Sequence, residues 1–324
     1  MQNYHNLLSQ IMQEGHDIRN ERTGKVCRTL VGAQLKFDLR EGFPAITTKK
    51  LAFAAVKGEL LGFFWGCTSA ADFRALGCKV WDQNANETPA WLANPNRRGV
   101  DDLGPVYGAQ WTDWHAYREI ALGEEAIIQH AIEQGFEPIG LNDERTHGIY
   151  RNRINQLERA LHTLLTNPSD RRIIVSGWNV GELDRMALPP CHMDYRFVSV
   201  PDRDGASPRL HLVMTIRSWD TFLGGPFNIA STALFLAIMA RLSGHVCGGI
   251  TIQATNAHIY EDHFEQVSEQ LSRQHLKAPR LWIAEHVRKV SVDEIAGAFA
   301  RIQPEDIALE GYESHAAIKA PMAA

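Results

Sequence analysis

Apolar and polar residues alternate along this chain in patterns that predict both helices and strands. Apolar positions recur at helical spacing over residues 4–17 and predict a helix with Gly15 near its end. Residues 29–39 alternate between apolar and polar side chains and predict paired strands. Residues 51–66 are apolar nearly all round, which predicts a buried helix that contains Glu59.

In the second half of the chain, apolar residues again recur at helical spacing in some segments and alternate as in strands in others. Helices are predicted at residues 149–165 and 259–271, and strands at residues 172–176, 193–200 and 210–217. Residues 227–242 are the most apolar segment. We expect a buried core helix there, because the segment is too short and too interrupted to span a bilayer. Helices placed among runs of strands predict an α+β or mixed α/β fold.

Residues 84–150 are the part of the chain in which the sequence pattern predicts secondary structure least clearly. They are rich in Asn, Pro, Gly and charged residues, with one predicted helix near residues 124–134. We interpret them as an elaboration on the core, because they give no sign of a separate domain. A chain of 324 residues can form one large domain with a thick core, and we expect a single domain over residues 1–324.

Composition narrows the functional class. The formal net charge is −5, so the chain lacks the basic excess of a dedicated nucleic-acid binder. Five cysteines without zinc-like spacing favour reduced thiols over a disulfide framework or a metal site. The first residues lack the basic and apolar blocks of a signal peptide. We therefore expect a cytoplasmic enzyme, or one in the host cytoplasm if phage-encoded, without metal or membrane attachment.

Candidate chemistry centres on Cys191, which follows two prolines and precedes an extended segment. Proline fixes its own φ and disfavours helical backbone in the residue before it, so the thiol is held in a fixed, non-helical pose. Arg171, Arg172 and Arg217 supply cations that favour a thiolate and that fork onto phosphate oxygens. This combination indicates covalent chemistry on an anionic substrate, whereas a small buried apolar thiol is the ordinary alternative.

Short motifs in a fixed order extend this picture over nearly the whole chain. They are residues 21–24 (ERTG), 42–50 (GFPAITTKK), 80–82 (VWD), 102–108 (DLGPVYG), 171–173 (RRI), 188–192 (LPPCH), 217–218 (RS), 226–228 (PFN), 258–260 (HIY) and 320–324 (APMAA). With these motifs the chain resembles the thymidylate synthase family, which also contains pyrimidine nucleotide hydroxymethylases. Residues 81–86 are similar to the longer bacterial form of the family.

The resemblance implies a fold and a covalent mechanism. The fold would be a large twisted sheet covered by helices, with a sheet face used as the dimer interface. Cys191 would attack C6 of a uracil ring, so that C5 can attack the methylene of 5,10-methylenetetrahydrofolate, a co-substrate. Glu59 would move protons at the pyrimidine O4 through water, and Tyr107 would lie near the proton lost from C5. Asn228 would select uracil, because its amide can both donate and accept hydrogen bonds. The ordinary alternative is that Asn228 is the N-cap of the apolar helix that follows.

The resemblance also implies a set of substrate ligands that points to dUMP and to a homodimer. The expected phosphate ligands are Arg22, Arg217 and Ser218. Arg171 and Arg172 would reach into the neighbouring subunit's site. His258 and Tyr260 would bind the deoxyribose 3′-hydroxyl, which favours dUMP over a ribonucleotide.

The folate co-substrate would lie over the pyrimidine, with Asp220 on its pterin. The residues expected to line its pocket are Val80, Trp81, Leu188, Leu223, Gly224 and Phe227. Met322 and Ala323 in the tail would close the site and exclude water. Exclusion of water matters because hydride gives dTMP, whereas water gives hydroxymethyl-dUMP. The ordinary alternative for this apolar set is core packing.

Four residues depart from the usual pattern of the family and leave two other functions open. They are Asp194, Trp219, Gly225 and Asn256, where Asn256 replaces an expected carboxylate. Changes clustered around one site could admit water, as in a dUMP 5-hydroxymethylase. The retained Trp81 and tail length favour hydride transfer. A remote alternative is a non-catalytic homologue that binds nucleotide or RNA.

Overall fold

The computed structural model of the protein describes residues 1–21, 24–201 and 207–322. The helices within those residues are α1 (Gln2–Glu14), α2 (Phe53–Phe64), α3 (Ala70–Ala75), α4 (Asp82–Asn86), α5 (Pro89–Leu92), α6 (Tyr107–Thr112), α7 (Glu125–Glu133), α8 (Gln156–Thr166), α9 (Gly224–Ser243) and α10 (Phe264–Ser272). The strands are β1 (His16–Arg19), β2 (Val26–Asp38), β3 (Trp114–Ala121), β4 (Glu137–Leu141), β5 (His147–Ile154), β6 (Ile174–Ser176), β7 (His192–Val200), β8 (Arg209–Ile216), β9 (Trp219–Asp220), β10 (Val246–Tyr260), β11 (Arg280–Ile283) and β12 (Ile307–Glu310).

A mixed sheet of seven strands forms the centre of the fold. Its order is β1-β2-β10-β8-β7-β6, and the short β9 pairs with the end of β10. Strand β10 runs parallel to β8 and β9, and the other pairs are antiparallel. Smaller sheets are β3-β5-β4 and β11-β12. Helices beside a largely antiparallel sheet confirm the predicted α+β class.

Helix α9 is the buried core helix that the apolar segment predicts. It packs against α2, α8, β8 and β10, and residues such as Leu234 and Ile238 are fully buried. At 20 residues it is long and apolar enough to cross a membrane by length and composition, so the expectation that the segment is too short was wrong. Most of the helix is buried inside the protein, as in a core helix. Gly244 ends it in the left-handed conformation, at φ 77°.

Only one face of the central sheet packs against the core. Along β8, Leu210, Leu212 and Met214 are buried, while the residues between them point to the other face and are half-buried. The same outer region carries exposed apolar side chains on neighbouring strands. Val31 on β2 is 76% exposed and Val198 on β7 is 48% exposed.

Residues 84–150 add short helices and the three-stranded β3-β5-β4 sheet to the core. Ile120, Ala131, Phe136 and Tyr150 form a small apolar cluster there, separate from the main core. The predicted helix near residues 124–134 is confirmed as α7. The same stretch also contains α6, whose buried Tyr107 and Trp111 pack with α2 in the main core.

Four boundaries predicted from the sequence were wrong. Residues 29–38 belong to one long strand, β2, and Leu39 begins a 3-10 turn. Gly32 takes a φ of 75° within β2, between Val31 and Ala33, which keep the same register with β10. Residues 149–154 belong to β5, and the helix begins only at Gln156. Residues 259 and 260 end β10, and helix α10 begins at Phe264. Helix α1 ends at Glu14, and residues 16 and 17 belong to β1.

Candidate active site

Strand directions bring the chemically important residues to one edge of the sheet. Cys191 directly precedes β7, and Arg217 directly follows β8. Because β7 is antiparallel to β8, the start of one strand lies beside the end of the other, and the Arg217 backbone N–H donates to the Cys191 carbonyl at 2.9 Å. Strand β10, parallel to β8, ends at this edge with His258 and Tyr260.

Two side chains clamp the loop that carries Cys191. The Tyr107 hydroxyl accepts the backbone N–H of Cys191 at 2.6 Å and that of His192 at 3.4 Å. The guanidinium of Arg217 donates from Nε to the Pro190 carbonyl at 2.9 Å and from Nη2 to the Pro189 carbonyl at 2.8 Å. These contacts, together with the rigid prolines, hold the thiol in place. They also hold the Arg217 cation against the loop that carries Cys191.

Glu59 lies buried in α2, where the apolar surroundings disfavour its charge. It is 7% exposed, and burial raises its pKa to about 8, although the Trp81 indole N–H opposes that shift by donating to Oε1 at 3.1 Å. The carboxyl group is therefore mainly protonated near neutral pH and can both donate and accept a proton. Perturbed acids of this kind are typical of catalytic sites.

His258 is oriented by a neighbour on its own strand. Its Nδ1 lies 2.8 Å from Oδ1 of Asn256, and an amide oxygen can only accept, so Nδ1 carries the proton. Nε2 is then the acceptor in the neutral ring, and burial lowers the pKa of His258. The Tyr260 ring packs edge-on against it, with centroids 5.2 Å apart.

Asn228 is the fifth residue of α9, so it is not the N-cap, which is Leu223, and two aromatic rings contact its side chain. The Trp219 indole N–H donates to its Oδ1 at 3.1 Å. A side-chain hydrogen bond between His192 and Asn228 raises the pKa of His192, but burial has the larger effect and lowers that pKa to about 4. His192 is therefore neutral at pH 7, and its Nδ1 lies 3.0 Å from the Tyr195 hydroxyl.

Two adjoining cavities meet at Cys191. The first, of about 410 Å³, we call the arginine cavity; Arg217, Trp178 and Asn256 line it. The second, of about 290 Å³, we call the carboxylate cavity; Glu59 and Asp220 line it. The residues that line both are Leu188, Cys191, Ser218, His258 and Tyr260. Polar groups converge here on a mainly apolar concavity, as in small-molecule sites.

Most residues predicted for the site line these cavities. The further predicted residues that line the carboxylate cavity are Val80, Trp81, Tyr107, Gly224, Asn228 and Met322. Leu223 and Phe227 line neither cavity and pack, half-buried, against the main core. Arg171 and Arg172 are exposed and line neither cavity, and Arg172 pairs with Asp170 at 2.8 Å. Arg22 and Ala323 lie outside the described residues.

The tail reaches the carboxylate cavity because hydrogen bonds from two side chains hold it in place. His263, which is fully buried, donates from Nε2 to the Pro321 carbonyl at 2.7 Å. Arg273 donates to the Ala316 carbonyl at 2.6 Å, further up the tail. Met322 consequently lines the carboxylate cavity, as predicted for a closing segment.

Sequence reasoning missed several lining residues. Trp178 lines the arginine cavity with its ring 5.3 Å from the Arg217 guanidinium carbon, and His192 lines the carboxylate cavity. His192 lies in the quoted motif at residues 188–192, so its position gave a signal, whereas Trp178 lies outside the quoted motifs. Thr29 lines the arginine cavity because it pairs opposite His258 on β10, and Asn20 lines it because it follows β1, which pairs with β2; only the sheet register reveals these positions.

Comparisons with known proteins agree over the full length. The sequence model of the thymidylate synthase family matches residues 2–324. The chain belongs to the thymidylate synthase family. It is 43% identical to thymidylate synthase of Pseudomonas putida and 41% identical to that of Bordetella parapertussis, over 100% of each chain. It is 37% identical to thymidylate synthase of Haemophilus influenzae, over 99% of each chain.

The four departures from the usual thymidylate synthase pattern do not cluster around one site. Trp219 and Asn256 line the cavities. Asp194 lines neither cavity and pairs with Arg196 at 2.9 Å. Gly225 also lies outside them, where an added Cβ would come within 3.0 Å of the Tyr4 ring. Gly225 thus accommodates Tyr4, and only two of the four changes can act directly on a ligand.

Proposed function

We propose that this protein transfers a one-carbon unit from 5,10-methylenetetrahydrofolate to C5 of dUMP and reduces it to methyl, giving dTMP and dihydrofolate. The observation that carries the proposal is the meeting of Cys191, Glu59 and Asn228 at one cavity edge, with a cation on the nucleophile's loop. The full-length thymidylate synthase relatives support dUMP methylation and do not favour the hydroxymethylase alternative.

Covalent attack makes an unreactive carbon nucleophilic. The Cys191 sulfur forms a bond to C6, and the electron pair of the C5–C6 double bond moves toward C4–O4 as an enolate, from which C5 can attack an electrophilic one-carbon unit. Glu59, protonated near neutral pH, can supply a proton at O4 through water. Elimination of the thiolate later restores the ring, so Cys191 is regenerated.

Tyr107 has two roles in this proposal. Its oxygen accepts two backbone N–H groups, which fixes the Cys191 loop and leaves its own proton to be donated toward the carboxylate cavity. Burial raises its pKa well above the ordinary value, so it stays protonated. It can therefore help to remove the C5 proton only by passing its own proton to water as it accepts the new one, or by orienting a water that accepts the proton.

The arginine cavity would hold the phosphate and sugar. Arg217 and Ser218, with Arg22, are the proposed phosphate ligands, because guanidinium groups match phosphate oxygens. His258 presents an unprotonated Nε2 that can accept from the 3′-hydroxyl, next to Tyr260. Ribose would add a 2′-hydroxyl beside these groups, so the proposed substrate is the deoxyribonucleotide dUMP.

The folate co-substrate would occupy the carboxylate cavity beside Val80, Trp81 and Asp220. The cavity's apolar walls suit a flat pterin, and the Asp220 carboxylate can accept from pterin N–H groups. Oδ1 of Asp220 already accepts the backbone N–H groups of Phe222 and Leu223, each at 3.0 Å, so the carboxylate is held in place. Met322 would then shield the reacting carbon from water.

The wider setting of the enzyme is also a proposal. We place it in the cytoplasm as a homodimer that binds dUMP and folate, with no metal and no nucleic acid. Exposure of Arg171 and Arg172 supports their insertion into the partner's site, and the exposed apolar outer face of the sheet supports its use as the interface. We further propose one domain over residues 1–324, with the elaboration at about 84–150.

The test is to incubate the purified protein with dUMP and methylenetetrahydrofolate and to identify nucleotide and folate products together by mass spectrometry. dTMP with dihydrofolate is expected. Hydroxymethyl-dUMP with tetrahydrofolate would instead establish the hydroxymethylase. Cys191→Ser should abolish turnover and retain dUMP binding, while Cys247→Ser, a cysteine that lines neither site cavity, should keep activity. An inactive wild type that binds RNA would favour the alternative of a non-catalytic homologue.

A further inference from the structure

Trp219 lines the carboxylate cavity, and both its backbone and its side chain are held by neighbouring residues. It belongs to the two-residue strand β9 and pairs opposite Ala257 on β10, so its backbone is set by the central sheet. Its side chain is 1% exposed. From this position the indole N–H donates to Oδ1 of Asn228 at 3.1 Å.

This hydrogen bond determines which way the Asn228 amide points. An indole N–H can only donate, so the atom that faces it must be the carbonyl oxygen and not the NH₂ group. Gly224 lies on another side of Oδ1 and has no side chain, whereas an added Cβ there would come within 3.2 Å of Oδ1. The amide is therefore held in one of its two orientations before any ligand binds.

An amide that is fixed in one orientation can match only one of the two pyrimidines. Uracil presents an acceptor at O4 and a donor at N3, whereas cytosine presents a donor at N4 and an acceptor at N3. An amide can satisfy either base, but only after a rotation of about 180° that exchanges its oxygen and nitrogen. An asparagine without a fixed partner would therefore discriminate poorly between them.

We propose that Trp219 is a positioning residue that locks the Asn228 amide in the orientation that accepts uracil and rejects cytosine. The inference deepens the proposed function and rests on it, because it concerns the same pyrimidine site. Rotation of the amide to suit cytosine would turn the NH₂ group toward the indole N–H. Two buried donors would then face each other, and the loss of a buried hydrogen bond is typically worth about tenfold in binding.

The main experiment compares dUMP and dCMP binding to wild type and to Trp219→Phe by calorimetry, with inhibition constants as a second measure. Phenylalanine keeps an aromatic ring but has no N–H. The ratio of the dCMP to the dUMP dissociation constant is expected to fall about tenfold in W219F, through weaker dUMP and stronger dCMP binding. In turnover, the KM for dUMP should rise more than kcat falls.

Trp91→Phe is the matched control. Trp91 is 2% exposed, and its indole N–H donates to the Asp102 carbonyl at 2.7 Å, but it lines neither site cavity. This variant also loses a buried indole hydrogen bond, so it reports the cost to folding alone. It should leave the nucleotide ratio unchanged. A similar fall of the ratio in W91F would overturn the inference.

Two further variants keep the test decisive. In an Asn228→Ala background there is no amide to orient, so adding W219F should not change the ratio further. If W219F does not fold, Gly224→Ala perturbs the same Oδ1 from another side without removing an aromatic ring, and it should also lower the ratio. An unchanged ratio in whichever of W219F and G224A folds overturns the inference. Failure of wild type to form dTMP overturns the proposed function instead.

Discussion

At the scale of single residues, the candidate site depends on groups that are placed by contacts with backbone. Tyr107 holds the Cys191 loop through N–H groups, whereas Arg217 holds it through the carbonyls of the two prolines before it. Each of these side chains is thus both a positioning group and a candidate participant in the reaction. Substitutions at either position will mix the two effects, so Glu59, whose only hydrogen bond among those described comes from Trp81, is the clearer target.

Glu59 gives a prediction about pH and stability. Its pKa is about 8 in the folded protein, because of burial, and 4.5 in the reference state. Below pH 4.5 both states are protonated. Above it the unfolded state loses the proton and the folded state keeps it, so this group costs up to about 1.4 kcal/mol of stability per pH unit until the pH passes about 8.

Glu59→Gln removes that dependence. Relative to wild type, E59Q should gain stability steadily between pH 5 and about pH 8, measured by urea unfolding across that range. Glu133→Gln on the exposed face of α7 is the control, and its profile should follow wild type. A difference between E59Q and wild type that does not vary with pH would show that Glu59 is ionised in the folded protein.

At the scale of elements, strand order determines the site more than any single helix does. Cys191, Arg217 and His258 are far apart in sequence, and the antiparallel β7–β8 pair and the parallel β8–β10 pair bring them to one edge. Proline at 189 and 190 and strand patterning made Cys191 and its extended segment predictable from the sequence. The register that adds Thr29 from β2 was not, because strand pairing depends on distant residues.

The boundary errors have specific physical causes. The predicted pair of strands at residues 29–39 is one strand, since the left-handed backbone of Gly32 lies within β2 and the register with β10 continues on both sides of it. The start of α8 was signalled by Asn155, whose side chain accepts the Glu158 backbone N–H as an N-cap, and this signal was overlooked. At the end of β10, Ala257 through Tyr260 are all buried, so the two-residue period is lost and the strand resembles a helix.

The C-terminal segment gives a prediction at this scale. His263→Leu removes the donor to the Pro321 carbonyl, so the tail should spend less time over the carboxylate cavity. We expect the KM for methylenetetrahydrofolate to rise about tenfold and the share of hydroxymethyl-dUMP to increase, because water gains access. Product analysis by mass spectrometry and digestion by carboxypeptidase measure the two effects.

His286→Leu is the control for this change. Its ring is 66% exposed and pairs with Asp306, away from the tail residues named above. H286L should leave the folate KM, the products and the carboxypeptidase digestion as in wild type. If H263L shows the same products and the same resistance to digestion as wild type, the hydrogen bond does not control closure.

At the scale of the whole molecule, two features of the described residues take no part in the site of their own subunit. The outer face of the central sheet exposes apolar residues such as Val31 and Val198, which is costly for a surface in water. Arg171 and Arg172 lie on the surface, away from both cavities. A two-fold dimer through the sheet would bury this outer face. It would also bring Arg171 and Arg172 near the partner's site, because an isologous interface uses the same surface of both subunits.

Subunit mixing tests this arrangement. Cys191→Ser lacks the nucleophile, and a combined Arg171→Ala and Arg172→Ala variant lacks the arginines, so each homodimer should be nearly inactive. In a mixed dimer, one site combines an intact Cys191 with intact arginines from the other subunit. Random mixing in equal amounts after dissociation should therefore restore about a quarter of the wild-type sites. Activity assays before and after exchange measure this recovery.

The size of the recovery separates the two placements of the arginines. If the arginines served their own subunit, every site in the mixed dimer would lack either the thiol or the arginines, and mixing would restore nothing. The matched control replaces the arginine variant with Arg153→Ala, which breaks an exposed pair with Asp113 and should itself stay active. Exchange with C191S should then leave its activity per intact Cys191 unchanged. Full activity of the double arginine variant alone would show that neither arginine is needed for catalysis.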